Sequence, residues 1–159
     1  MSEMKKAVVL FVATMGLAIA VQAAGPLQLG LAGDPLQIFG ADSEFTGLKL
    51  NLPYANNDVV RGLDVGFISG GGEFSALRFN LVNLSESRSS GWEVGAVNWD
   101  SGEVDGLQTA IFNHAEDMHG LQIGLVNYAE HLHGVQIGLL NYIRHSHAAV
   151  VLPFVNWDF

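Results

Sequence analysis

Apolar and polar positions alternate along nearly the whole chain after its first two dozen residues. In the unit from Gly120, Leu121, Ile123 and Leu125 fall on one side of an extended backbone while Gln122, Gly124 and Val126 fall on the other. Alternation with period two predicts a strand, and here the strand is copied. The copies read GLKLNLPY from Gly47, GLDVGFIS from Gly62, ALRFNLVN from Ala76, GWEVGAVN from Gly91, GLQTAIFN from Gly106, GLQIGLVN from Gly120, GVQIGLLN from Gly134 and AVVLPFVN from Ala149. Their starts are separated by 15, 14, 15, 15, 14, 14 and 15 residues. Six successive units end in Asn, from Asn83 to Asn156, and a partial copy, PLQLGLA, occupies Pro26 to Ala32. Between units lie turn-forming residues such as Asn56 to Asp58, Gly70 to Gly72, Ser85 to Ser90 and Asp100 to Gly102. The pattern predicts an all-β domain of tandem 14–15-residue strand-turn repeats, with about 8–10 strands.

The first residues follow another pattern. Lys5 and Lys6 precede an apolar run from Ala7 to Ala20, and Val21-Gln22-Ala23 supplies small residues for cleavage. This predicts a signal peptide over residues 1–23 and a single β-repeat domain over 24–159. The mature chain is expected to be exported. The outer membrane is the favoured destination, with the periplasm or cell surface as the alternative.

The segments GLQIGLVNYAEHLHGVQIGLLNY and FVNWDF resemble exported bacterial proteins with tandem Gly-Leu-Gln-Ile-Gly-Leu-Val-Asn surface repeats. The resemblance spans residues 26–159 and implies a surface protein, without implying any catalytic residue. The first two units depart from the motif, with Tyr54 and Ser69 where later units have Asn.

Two architectures accommodate the repeat. A small antiparallel β-barrel is favoured by the terminal strand, in which Val151, Pro153, Val155, Trp157 and the final Phe159 alternate on one face. In such a barrel this strand would pair with the one starting at Leu27, and Lys49, Asp64, Arg78, Glu93, Gln108, Gln122 and Gln136 would line the lumen. Trp92, Trp99, Tyr128, Tyr142 and Trp157 would supply aromatic girdles. The alternative is a parallel β-solenoid, in which equivalent positions stack, those same polar residues form one column of alternating charge followed by glutamines, and the asparagines form a ladder.

Charge and candidate chemistry narrow the function. Only 14% of residues are charged and the net charge is -9 with 7 Lys and Arg, which argues against nucleic acid as a partner. With no cysteine, thiolate zinc sites and disulfides are excluded. No Gly-x-Ser-x-Gly elbow or His-Glu-x-x-His motif appears, and the chain reads as a non-enzyme without cofactors. All six histidines lie between His114 and His147. His131, His133, His145 and His147 form two His-x-His pairs and are the candidate metal ligands, with Glu116, Asp117 and Glu130 nearby. In the favoured barrel the pairs sit at opposite ends, so no metal site is expected and the histidines read as solvated turn residues; in the solenoid, stacked coils would bring the two pairs about 5 Å apart, where four imidazoles could hold a metal. The Asn residues read as turn caps. The expected role is structural, as a small outer-membrane barrel in contact with lipid, or alternatively a soluble or surface-attached solenoid acting as a binding module. The sequence names no ligand or protein partner.

Edman sequencing of protein recovered from the exported fraction is expected to start at Ala24 or within a residue or two. Intact Met1 on cytoplasmic material would refute export.

Overall fold

The computed structural model describes residues 27–30, 44–147 and 149–159. The expected signal peptide lies outside them. Six strands follow in order: β1 (Leu27–Gly30), β2 (Glu44–Ser85), β3 (Arg88–Val94), β4 (Val97–Asp100), β5 (Glu103–Ile143) and β6 (Val151–Asp158). Pairings among β1 to β5 are parallel. Leu77 lies beside Trp92 and Trp92 beside Leu107, while Asn83 lies beside Asn98 and Asn98 beside Asn113. Each step is one repeat. β2 and β5 run through several coils because the corners keep up the ladder; Arg144 N–H, for example, donates to the Ala129 carbonyl (2.9 Å).

The all-β repeat fold is therefore present, and it takes the form of the parallel β-solenoid rather than the antiparallel barrel. The barrel expectation rested on the alternating terminal strand ending in Phe159, which was to pair with the strand starting at Leu27. Instead β1 adds to the stack in register, with Gln28 beside Lys49, so the partial copy serves as an extra partial rung. β6 folds back antiparallel onto the last coil, with Gln136 opposite Asn156 and Val135 opposite Trp157. The eighth copy thus caps the stack and is not a further coil. Its register shifts between Gly138 and Asn141, opposite Pro153, which has no N–H to offer the ladder. Phe154 alongside has a φ of 69°, the one positive value at a non-glycine among the described residues.

In the coil Gly120–His133 in-and-out alternation slips twice, Leu125 and Val126 both facing outward, as do Glu130 and His131, and these slips are corners; the third corner is the positive-φ glycine that opens the unit. Three flanks result. The first carries Leu121, Ile123 and Leu125 outward over Gln122 and Gly124; the second carries Val126, Tyr128 and Glu130 over Asn127 and Ala129; the third carries His131 and His133 over Leu132. Asn56 to Asp58 and Gly70 to Gly72, expected as turns between strands, are instead taken up within β2.

The corner opening each unit is set by glycine. Gly47, Gly62, Gly91, Gly106, Gly120 and Gly134 all have φ between 123° and 156°. A Cβ on Gly106 would stand 2.1 Å from the Gly91 carbonyl oxygen of the coil beneath. Handedness and crowding both exclude a side chain. Apolar packing inside is modest and split in two: Phe45, Val60 and Phe74 near one end, and Val104, Ala115, Met118, Ala129, Leu132 and Ile143 toward the other.

Gly106→Ala is expected to destabilise the fold by about 2 kcal/mol or more, since strain of this kind costs of order 1–3 kcal/mol before the backbone clash is counted. Ala76→Gly, at the equivalent corner where φ is not positive, should cost about 1 kcal/mol or less. Urea denaturation of both variants checks the contrast.

Candidate functional site

Beside the apolar clusters the interior is polar. Asn83, Asn98, Asn113, Asn127 and Asn141 are fully buried, one per coil. Each of the first four donates one amide hydrogen to the next asparagine's Oδ1 at 2.8–2.9 Å. Each also donates to a backbone carbonyl, Asn113 to Ile123 (3.0 Å) and Asn127 to Ile137 (3.0 Å). Asn141 ends the series on the carbonyl of Leu152 in β6 (3.2 Å). These residues were expected as turn caps, with a ladder as the consequence of the solenoid alternative; they form the ladder. Glycines at the facing positions make room for it, since a Cβ on Gly124 would lie 2.8 Å from Asn113 Nδ2.

A second column runs beside the first. Gln136 donates to Gln122 (2.8 Å), Gln122 to Gln108 (2.7 Å), and Gln108 to the carboxylates of Asp100 (2.5 Å) and Glu93 (3.2 Å). Below Glu93 the column continues as Arg78, Asp64 and Lys49, all fully buried. The polar face assigned to a barrel lumen is therefore the solenoid interior. Arg78 binds Glu93 at 2.6 Å, approaches Asp64 at 3.6 Å and stacks its guanidinium 3.5 Å over the Phe74 ring. Lys49 donates to Ser69 (3.1 Å), and Ser69 donates to Asp64 (2.5 Å).

Burial shapes the protonation of this cluster. Desolvation pushes Asp100 well above the ordinary aspartate range, and the neighbouring Glu93 anion pushes it further. Glu93 is held below its usual value: Arg78 and hydrogen bonds from Asp100 and Ser89 outweigh its own desolvation. Desolvation lowers Lys49 to about 8, partly offset by Asp64. Around these carboxylates Arg78 and Lys49 alternate with Glu93 and Asp64 on successive rungs.

The outside is the inverse of an ordinary protein. Along the first flank, and at the first position of the second, every outward residue in the seven coils from Gly47 is apolar except Thr109. Thr109 accepts a hydrogen bond from the Trp92 indole (3.2 Å), so even that hydroxyl is occupied. Many of these side chains are open to solvent, among them Phe67, Leu77, Leu81, Ile111, Leu125 and Leu139. Next comes an aromatic column in which Trp99, His114, Tyr128 and Tyr142 stack with ring centroids 4.1, 5.0 and 5.1 Å apart. The expected girdle residues thus divide: Trp99, Tyr128 and Tyr142 form this column, Trp92 lies on the apolar flank against Phe79, and Trp157 sits on the cap. Burial lowers the pKa of His114, although its hydrogen bond to the Asp100 carbonyl opposes the shift.

Beyond the aromatics lie the charges. The four candidate histidines do not converge on one point. His131 stacks on His145 (4.8 Å) and its Nδ1 meets Asp117 at 3.0 Å. His133 lies against His119 (4.9 Å), a residue that was not among the candidates. His119 is the 14-residue antecedent of His133, so the repeat offset alone could have found it. His147 leaves the series for the cap, where its backbone N–H donates to Asp158 (2.6 Å). Glu130 pairs with Arg144 (2.8 Å). Glu103, Asp105 and His119 bring ligand atoms within 4.8 Å of one another. No family model, curated protein or solved structure matches the chain.

Two substitutions test the buried charges. Asp100 binds its proton more tightly folded than unfolded, so its contribution to stability falls as pH rises above the ordinary aspartate range of about 4. Asp100→Asn is expected to raise the melting temperature at pH 7 and to flatten that decline. Glu93→Gln leaves Arg78 buried without its closest anion and should cost about 3–5 kcal/mol. Thermal scans from pH 4 to pH 8 read both.

Proposed function

We propose that the chain is an exported, non-catalytic β-solenoid of the surface-repeat kind that docks its apolar flank on lipid of the outer membrane, as a peripheral binding module. The single observation that carries this reading is the charge-free outer flank repeated over seven coils. Six residues at about 3.3 Å by seven rungs at about 4.8 Å outline a patch on the order of 600 Å². That is the upper end of what a soluble monomer leaves open, and larger patches mark interaction or membrane surfaces.

Two further features favour lipid over a second copy of the chain. The Trp99–Tyr142 aromatic column follows the boundary between apolar and charged outer residues, the position such side chains take at a membrane–water interface. The strand ladder also satisfies its backbone groups internally, as a surface against hydrocarbon requires. The net charge of -9 favours zwitterionic over anionic headgroups. The apolar flank lies on the lipid and the third flank, with its carboxylates and histidines, faces water.

Flotation with phosphatidylcholine vesicles tests this. The mature protein is expected in the vesicle fraction at both low and high salt. Replacing Leu125 and Leu139, exposed by 52% and 61%, with Glu should reduce partitioning more than tenfold, because each buried leucine contributes roughly 1.5–3 kcal/mol. Protein that stays at the bottom of the gradient, and sediments as a dimer dissociated by the same substitutions, would replace lipid by a second copy.

A further inference from the structure

The third flank holds an arrangement that lipid docking does not use. Its two outward positions form columns two residues apart along each coil, so they share a face. One column reads Asp105, His119, His133 on successive rungs; the other reads Asp117, His131, His145. Both have the order carboxylate, imidazole, imidazole, with rungs about 4.8 Å apart. The order comes from stacking, because no two members of a column are closer than 14 residues in sequence.

We propose that each column binds one divalent transition ion of the zinc type through its two imidazoles and its carboxylate. Two histidines and a carboxylate form a ligand set that borderline ions favour, with ligand bonds of about 2.0–2.2 Å and a further position left for water. In each column the carboxylate lies near the first imidazole, and the second imidazole lies against the first, one rung further on. In the first column His119 Nδ1 lies 3.8 Å from Asp105 Oδ1, and the His119 and His133 rings are 4.9 Å apart. In the second His131 Nδ1 lies 3.0 Å from Asp117 Oδ1, and the His131 and His145 rings are 4.8 Å apart. An ion held between the carboxylate and the first imidazole is reached by the second, exposed imidazole, His133 or His145, on rotation of its side chain.

The surroundings fit a cation and explain the limits of the grid. Glu103 brings a further carboxylate oxygen within 4.8 Å of the Asp105 and His119 ligand atoms. Arg88 closes that end, approaching Glu103 at 3.8 Å and hydrogen-bonding the other Asp105 oxygen, Oδ2, which leaves Oδ1 directed at His119. At the opposite end His147 is held by Asp158 of the cap and takes no part. His119 and His131 are each about half exposed, at 47% and 49%, so an ion reaches them from solvent.

Calorimetric titration of zinc chloride into the metal-stripped, full-length mature protein decides the proposal. Two ions per chain are expected, with micromolar dissociation constants. His119→Ala should abolish one equivalent, His131→Ala the other, and the double variant both, while His147→Ala binds like wild type. Circular dichroism of each variant confirms the fold, and zinc should raise the melting temperature of wild type but not of the double variant. Absence of binding at 100 µM zinc overturns the proposal. So does one ion lost equally in either single variant, or binding that survives in the folded double variant. Vesicle flotation of the double variant should be unchanged, which separates this site from the lipid-docking reading.

Discussion

Within a parallel β-solenoid every side chain has its counterpart about 4.8 Å above and below, and that translation decides which polar groups can be buried. A carboxamide has a donor and an acceptor and can satisfy itself with its own copy, as amide ladders do in stacked strands. The Asn83–Asn141 and Gln108–Gln136 columns are built on this property, with the second amide hydrogen of Asn113, Asn127, Gln122 and Gln136 placed on a backbone carbonyl. A charged group repels its own copy, so burial there requires alternating signs. Lys49, Asp64, Arg78 and Glu93 supply them on four consecutive rungs. With polar columns occupying the interior, the fold has only small apolar clusters inside and carries its leucines and isoleucines outside.

The same translation orders the outer surface. Since the repeat conserves residue type around the coil, each position becomes a stripe running along the stack: apolar, then aromatic, then charged. Lipid docking and metal binding are readings of two different stripes, and neither needs a pocket. The alternating ions add a second effect. Coils from Gly106 onward are nearly interchangeable in sequence, whereas those from Gly47 to Asp105 carry distinct charges at one inner position. A slip by one repeat in that half would bring Arg78 beside Lys49 or Glu93 beside Asp64. Buried charge there fixes the order of coils more than it contributes to their stability.

Much of this was legible in the sequence. The period, the strands and the polar identity of one strand face follow from alternation and repetition. Strand direction was not, because period two holds for parallel and antiparallel neighbours alike. The deciding residues were the asparagines, whose turn-capping ability and self-pairing ability are both intrinsic to the side chain; only the register selects between them. The last unit misled for a related reason. Its AVVLPFVN matches the motif, yet Pro153 stands where the other units have Gly, Ala or Asn, and the strand reverses to cap. For the histidines, the 14-residue offset between the two pairs places His131 on His145, but His133 meets His119, which lies outside the pairs, and the cap withdraws His147.

The two amide columns point in opposite directions. Asparagines donate toward the capped end, and glutamines donate away from it, onto Glu93 and Asp100. Amide dipoles aligned in one sense would sum along the axis as peptide dipoles do in a helix, and the field at the ends would grow with each rung. Opposed columns cancel rung by rung. A 14-residue module can then be gained or lost by gene duplication or deletion in the amide half of the stack without changing the electrostatics of either end, so the length of such a solenoid is free to vary during evolution.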